Sequence, residues 1–182
     1  MTETPQRLTP RDRGGEFPLP PGDYLLQLTS AMRTMRDTAL DAQLRPHGLT
    51  ASRYRVLGVL NQFGACTMSE MANFTAMDRT TLTRIADQLV VVGWVERKAA
   101  PKDRRQVLLE LTGLGRNTYL AAVKIVFAYN KKILEDIPEE AHRATARVLK
   151  ALVVNLAPND HARDSIIHFS REALKPAKAD KG

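Results

Sequence analysis

Residues 67–97 read TMSEMANFTAMDRTTLTRIADQLVVVGWVER, and this segment predicts two short helices joined by a tight turn. Thr67 followed by Glu70 is a capping box, in which each side chain accepts a backbone N–H at the helix start. Asp78 begins the second helix after the turn, and the apolar residues that follow it share one side of that helix. Gly93 ends the helix, because glycine tolerates the backbone conformation that follows a last turn.

The hydrophobic period changes after this segment, from helical spacing to the alternation of a strand. Residues 94–98 and 106–111 are predicted strands, and residues 99–104 form the loop between them. Because the loop carries lysine, aspartate and arginine, the sequence predicts a β-hairpin with a charged tip.

Longer amphipathic helices are predicted on both sides. Residues 23–44 place apolar side chains at alternating spacings of three and four, which forms one stripe along a helix. Further helices are predicted over residues 51–63, with Thr50 as N-cap, over 113–136, with Thr112 as N-cap, over 138–157, and over a short piece at 166–174. The fold we expect is therefore mostly α-helical, with a small β-hairpin.

Composition narrows the class of protein. The chain has 182 residues, and 27 Lys+Arg against 20 Asp+Glu give a net charge of +7, which favours an anionic partner. Hydrophobic residues at 43% exclude a wholly disordered chain, and no apolar stretch approaches the roughly 18 residues that a membrane-spanning helix needs. No export leader is recognised at the start, so we expect a cytoplasmic protein without a membrane partner.

The order of these elements suits the recognition of double-stranded DNA: a helix, a tight turn, a second helix and then a basic hairpin. The major groove of B-DNA admits one α-helix, and residues near its N-terminus reach the bases. The candidate DNA-binding residues are Arg79, Thr80, Thr81, Thr83 and Arg84 on the second helix, with Lys98, Lys102, Arg104 and Arg105 on the hairpin. Arginine can bind guanine through two hydrogen bonds, and basic hairpin groups can contact phosphates. For any single residue the alternative is an ordinary solvated surface.

Residues 50–115 also resemble the MarR family of winged helix-turn-helix regulators. The resemblance rests on Gly48-Leu49-Thr50, Thr67-Met68-Ser69-Glu70-Met71-Ala72, Asp78-Arg79-Thr80-Thr81-Leu82-Thr83-Arg84 and Gly93-Trp94-Val95-Glu96-Arg97. Its most specific part is Pro101-Lys102-Asp103-Arg104-Arg105, followed by Leu109-Glu110-Leu111-Thr112 and Gly115, which matches the family's wing in order and spacing. The flanking helices match in length and placement, so the resemblance covers roughly residues 23–157.

The resemblance implies an obligate homodimer that binds a pseudo-palindromic DNA site. Thr80, Thr81 and Arg84 would take the base-reading positions of the recognition helix. Arg104 or Lys102 would enter the minor groove, and Asp103 would pair with an arginine, of which Arg105 is the first choice, to hold the shape of the wing.

Composition at the two ends, together with the resemblance in between, divides the chain into four parts. These are a flexible N-terminal arm (residues 1–22), a helical dimerisation region (23–48 and 112–174), a winged helix-turn-helix DNA-binding domain (49–111) and a disordered tail (175–182). The arm holds five of the ten prolines, which is typical of a segment without a packed core.

Members of this family commonly respond to a small anionic or phenolic effector. The candidates by position are Ser30, Arg33, Arg53, Tyr54 and Tyr119. Arginine supplies a bidentate partner for a carboxylate, and tyrosine supplies a flat wall with one hydroxyl. The alternative is that Tyr54 belongs to the core and that Arg53 is a surface residue. We therefore expect a sequence-specific repressor of transcription that a small effector releases from double-stranded DNA.

Two other functions compete with this interpretation. A DNA-binding regulator could instead be controlled by a protein partner or by oxidation of Cys66. A place beside a helix N-terminus could lower the pKa of this thiol, but a lone cysteine in a turn is usually a small filler residue. The alternative from a different class is a helical enzyme or interaction module with a basic surface. The dispersed histidines and the single cysteine indicate no metal site, no cofactor and no catalytic pair, so we expect no enzyme.

Overall fold

The computed structural model describes residues 23–100, 105–157, 160, 163, 164, 166 and 167. Its elements in chain order are α1 (Asp23–Leu44), a 3₁₀ turn (Arg45–His47), α2 (Ala51–Phe63), β1 (Cys66–Thr67), α3 (Met68–Thr75), α4 (Arg79–Val91), β2 (Val95–Ala99), β3 (Val107–Leu111), α5 (Gly113–Ile133) and α6 (Glu139–Leu156). The predicted mostly helical fold with a β-hairpin is confirmed. The predicted arm (1–22), the predicted tail (175–182) and most of the short piece at 166–174 lie outside the described residues.

Side chains cap the helices as the sequence predicts. In the capping box, the Thr67 hydroxyl oxygen accepts the Glu70 N–H at 3.2 Å, and the Glu70 carboxylate accepts the Thr67 N–H at 2.8 Å. Thr50, Asp78 and Thr112 likewise accept the backbone N–H three residues onward. Because each such cap contributes about 1 kcal/mol, these residues set where the helices begin.

The sheet has one more strand than the sequence predicts. Its order is β1-β3-β2, and both pairings are antiparallel. Cys66 in β1 pairs with Leu109, and Thr67 pairs with Leu108. A strand of two residues is too short to show alternation, so only the passage of the chain beside β3 reveals it.

One hydrophobic core holds α2, α3, α4 and the sheet together. Its fully buried side chains include Leu57 and Leu60 from α2, Met71 from α3, Leu82 and Leu89 from α4, Val95 from β2 and Leu109 from β3. Leu40 and Leu44 at the end of α1, with Ala122 and Val126 of α5, complete it. Since each of these elements contributes to one core, α4 is held in a fixed place against the hairpin.

The start of α5 packs directly on the backbone before β2. Thr112 donates its hydroxyl to the carbonyl oxygen of Gly93 at 2.8 Å, and its N–H to that of Trp94 at 3.1 Å. Gly115 is buried one turn later, where an added Cβ would lie 2.0 Å from the Trp94 carbonyl oxygen. Only glycine fits this contact, which explains why a glycine stands at this point of the wing motif.

The first part of α1, residues 23–36, presents apolar side chains to solvent. Leu28, Met32 and Met35 of the predicted stripe are 62%, 55% and 72% exposed. Helix α5 ends at Ile133 rather than near Asp136 as predicted, because the N–H of Leu134 bonds in a tighter turn to the carbonyl oxygen of Lys131. Every helix in the described part of the chain is either too short or too polar to span a lipid bilayer.

Candidate nucleic-acid interface

The recognition helix predicted from the sequence is α4. Its buried face consists of Leu82, Ile85, Ala86 and Leu89, so the opposite face points away from the core. Thr80, Thr83 and Arg84 are exposed on that opposite face, at the spacing of one helical stripe. The carboxylate of Asp78 accepts the Thr81 N–H at 2.9 Å, and this hydrogen bond lowers the pKa of Asp78. The N-terminus of α4 is thus capped by a charged carboxylate, and the exposed stripe lies in the first turns of that helix.

The remaining predicted residues of α4 have internal roles as well. Arg79 donates its guanidinium to the Ser69 hydroxyl of α3 at 3.1 Å, which ties the two helices across their turn. Thr83 donates its hydroxyl to the carbonyl oxygen of Arg79 at 2.8 Å. Thr81 is half-buried and lines a cleft toward α2. Thr80 and Arg84 lie on the exposed face, and Arg84 also borders the same cleft as Thr81.

The hairpin carries its charges on two faces. Lys98 lies within β2, not at the tip, and its ammonium group is 2.9 Å from the Glu96 carboxylate and 2.6 Å from the Glu110 carboxylate. These hydrogen bonds raise the pKa of Lys98. Two carboxylates thus surround this lysine, a contact that the sequence did not predict. Arg105 is exposed just before β3, whereas Lys102, Asp103 and Arg104 lie outside the described residues.

A second ion pair joins the hairpin to α4. The guanidinium of Arg97 in β2 donates to the carboxylate of Asp87 in α4. Neither residue was among the sequence candidates. Two features of the sequence could have pointed to this pair. Asp87 follows Arg84 by three residues on the same side of α4, and the alternation of β2 puts Arg97 on the same sheet face as the buried Val95.

A cleft of about 360 Å³ lies between α2 and α4. It is lined by Asp41, Thr50, Ser52, Arg53, Thr81, Arg84, Ile85 and Gln88. Arg53 donates its guanidinium to the carbonyl oxygen of Gly48 at 2.8 Å and to the Gln88 side-chain oxygen at 3.0 Å. The cleft thus brings one effector candidate, Arg53, beside a DNA-binding candidate, Arg84.

The two tyrosines of the predicted effector site lie elsewhere. The rings of Tyr54 and Tyr119 stack with centroids 5.2 Å apart, and the Tyr119 ring packs 3.3 Å from where a Cβ on Gly58 would lie. Burial raises the pKa of Tyr119. The two rings pack between α2 and α5 against the core, which is the role that the alternative interpretation gave to Tyr54. Ser30 and Arg33 are exposed on residues 23–36 of α1.

Cys66 does not have the lowered pKa that its position beside a helix N-terminus suggested. The residue is 3% exposed in β1, and its thiol donates to the carbonyl oxygen of Gly64 at 3.4 Å. Burial, with the nearby charge of Glu70, raises the pKa of the thiol to about 11. The thiol-oxidation alternative supposed a lowered pKa, but removal from water outweighs the helix N-terminus, and the burial of Cys66 agrees with the role of a small filler residue.

We expect Cys66 to react slowly with thiol reagents in the folded protein. Because the folded thiol has the higher pKa, its contribution to the free energy of unfolding should be constant below pH 9 and be lost between about pH 9 and 11. Urea unfolding across this pH range measures the effect, and the Cys66→Ala variant is the control for other titrating groups. Fast labelling at neutral pH would contradict the burial.

Comparisons with known proteins agree on one family. A family model described as MarR family matches residues 47–106. The multiple antibiotic resistance protein MarR of Salmonella typhimurium is 36% identical over 77 residues, which cover 42% of this chain and 54% of that protein. An uncharacterised HTH-type transcriptional regulator of Bacillus subtilis, YwoH, is 27% identical over 68% of this chain and 89% of its own. The chain therefore spans about half the length of the curated MarR proteins it matches.

Solved structures extend the likeness to the fold. The crystal structure of a mutant MarR from E. coli complexed with operator DNA is similar to this chain with a TM-score of 0.66 and 27% identity. The match covers 71% of this chain and 93% of that one, so it reaches beyond the helix-turn-helix into the flanking helices.

Proposed function

This chain belongs to the MarR family, and from that premise we propose that it is a transcriptional regulator that binds double-stranded operator DNA. One observation carries the proposal: Thr80, Thr83 and Arg84 form an exposed stripe at the start of a capped helix that a buried core holds beside the hairpin. Arginine and threonine are suited to base edges and phosphates in the major groove. In this proposal the protein has no catalytic role and acts in the cytoplasm.

In this proposal two copies of the chain assemble through residues 23–48 and 112–174. Apolar side chains on these segments are exposed in the single chain, among them Phe127 at 71% and Leu156 at 73%. Exposed apolar residues of this kind are buried in obligate dimers. A twofold dimer presents two α4 helices to successive major grooves, so its operator is pseudo-palindromic.

A titration of DNA from upstream of its own gene, by fluorescence anisotropy at two salt concentrations, tests the proposed function. We expect tight binding that weakens steeply with salt, and a scrambled duplex of equal length should bind much more weakly. Equal binding to both duplexes would contradict a sequence-specific regulator. It would mean that the protein binds DNA only through its basic surface, as the interaction-module alternative supposes.

The wing residues Lys102 and Arg104 contribute to this binding through phosphates. The double variant Lys102→Ala/Arg104→Ala should weaken binding to every sequence and reduce the slope of log affinity against log salt by about 0.9 for each lost phosphate contact. The slope, measured on operator and scrambled DNA, is the readout. A loss confined to one sequence would instead mean that the wing reads bases.

The regulator is a repressor that a small anionic effector releases. The cleft between α2 and α4 supports this part of the proposal, since a carboxylate there would meet Arg53 and Arg84. An occupant of this cleft competes directly for a base-reading arginine. Effector binding therefore favours states of the protein that do not bind DNA. The buried, protonated Cys66 gives no support to the alternative of thiol oxidation.

Benzoate is a suitable probe of the cleft. We expect millimolar benzoate to release operator DNA, and the Arg53→Gln variant should require about tenfold more, because a charge-assisted hydrogen bond is lost. Tyr119→Phe is the matched control, since this tyrosine packs against Tyr54 outside the cleft. If Tyr119→Phe abolishes release while Arg53→Gln does not, the effector binds at the tyrosines instead.

A further inference from the structure

A carboxylate lies on the face of α4 that the proposed function assigns to DNA. Asp87 follows Thr80 by seven residues, Thr83 by four and Arg84 by three, so all four share one stripe. Its side chain is 53% exposed. A free carboxylate at this position would face the phosphates of the groove wall, and like charges in an interface oppose association.

An arginine of the hairpin forms an ion pair with Asp87. Arg97 donates its guanidinium to that carboxylate, from the sheet face that also carries Val95. The other charged side chains of β2, Glu96 and Lys98, alternate to the opposite face, where they form the separate cluster with Glu110. Of these three β2 side chains, only Arg97 bonds the carboxylate on α4.

We infer that Arg97 is a positioning residue for DNA binding, which neutralises Asp87 and keeps its carboxylate turned from the groove toward the sheet. The inference rests on the proposed function, and it assigns Arg97 a role that requires no contact with DNA. It therefore differs from a phosphate contact, which is the ordinary role of an exposed arginine in such a protein.

The two roles predict opposite results when Asp87 is also changed. If Arg97 acts through Asp87, then Arg97→Ala exposes a negative charge, and Asp87→Asn removes that charge and restores binding. If Arg97 binds a phosphate, the loss persists whatever stands at position 87. The salt dependence separates the roles a second time, because only a phosphate contact releases counterions from DNA.

The experiment compares the full-length protein with Arg97→Ala, Asp87→Asn and the double variant, on a duplex that the unchanged protein selects from a random-sequence pool. We expect Arg97→Ala to weaken binding at least about tenfold. Asp87→Asn alone should bind as tightly as the unchanged protein or more tightly. The double variant should return to within about threefold of the unchanged protein, with the same salt slope. Because exposed ion pairs contribute little to stability, all four proteins should remain folded, which circular dichroism verifies.

Three outcomes overturn the inference. A double variant as weak as Arg97→Ala, with a smaller salt slope, makes Arg97 a phosphate contact. Weaker binding by Asp87→Asn, confined to one base pair of the site, makes Asp87 a base-reading residue, since a carboxylate can accept from cytosine. If the unchanged protein selects no sequence from the pool, the proposed function and this inference fall together, whereas the first two outcomes leave the proposed function intact.

Discussion

The Gly115→Ala variant is expected to unfold about 10 °C below the unchanged protein, a loss of about 3 kcal/mol. The added Cβ would lie 2.0 Å from the carbonyl oxygen of Trp94 and 2.8 Å from its carbonyl carbon. Both are backbone atoms, so no side chain can turn aside to make room. Either α5 or the chain entering β2 must shift, and the bonds from Thr112 to Gly93 and Trp94 shift with it.

Gly113→Ala is the matched control for this prediction. Gly113 lies in the same first turn of α5, and a Cβ added to it would have no neighbouring atom within 4 Å. This variant should lose no stability, because alanine favours a helix over glycine. Thermal unfolding followed by circular dichroism measures both variants. An unfolding temperature for Gly115→Ala equal to that of Gly113→Ala would show that the contact with Trp94 relaxes without cost.

The Arg84→Ala variant is expected to lose about 1–3 kcal/mol of operator affinity and to discriminate less between sequences. Arg84 is exposed on the stripe with Thr80 and Thr83, where an arginine can bond a guanine edge in the major groove. The loss should appear on the operator and be small on scrambled DNA. Stability should change little, because the side chain is not part of the core.

Arg143→Ala is the matched control, because it removes the same charge from an exposed position on α6. There the guanidinium pairs with Glu139 one helical turn away. Binding titrations on both duplexes compare the two variants. Equal losses for Arg143→Ala and Arg84→Ala would attribute the effect to net charge and would remove Arg84 from the base-reading set.

The helices and their starts could be predicted from the sequence with little error. Thr67 with Glu70, and Asp78 with Thr81, interact over three residues, so a short segment contains everything the contact needs. The exposed stripe of α4 was also predictable, since helical spacing assigns Leu82 and Leu89 to one side and Arg84 to the other. The candidate DNA-binding helix is therefore a property of local sequence.

The candidate site on the hairpin and in the cleft was less predictable. Lys98 was expected among the basic groups of the tip, but it lies between Glu96 and Glu110 across two strands. Arg53 was expected with Tyr54 in one effector site, but its guanidinium reaches Gln88 of α4. Which side chains meet in such places depends on strand register and helix packing, which adjacent residues do not encode.

The order of the elements, their caps and the outward face of α4 are encoded locally in the chain, because they follow from interactions within about one helical turn. Three features depend instead on the folded chain: β1 pairs with β3, Cys66 is buried with a raised pKa, and Arg97 contacts Asp87. Each of these three depends on segments brought together by the common core. The free energy that brings these segments together comes from burying apolar surface, and the hydrophobic effect is non-directional. Which side chains become neighbours is therefore known only from the folded structure.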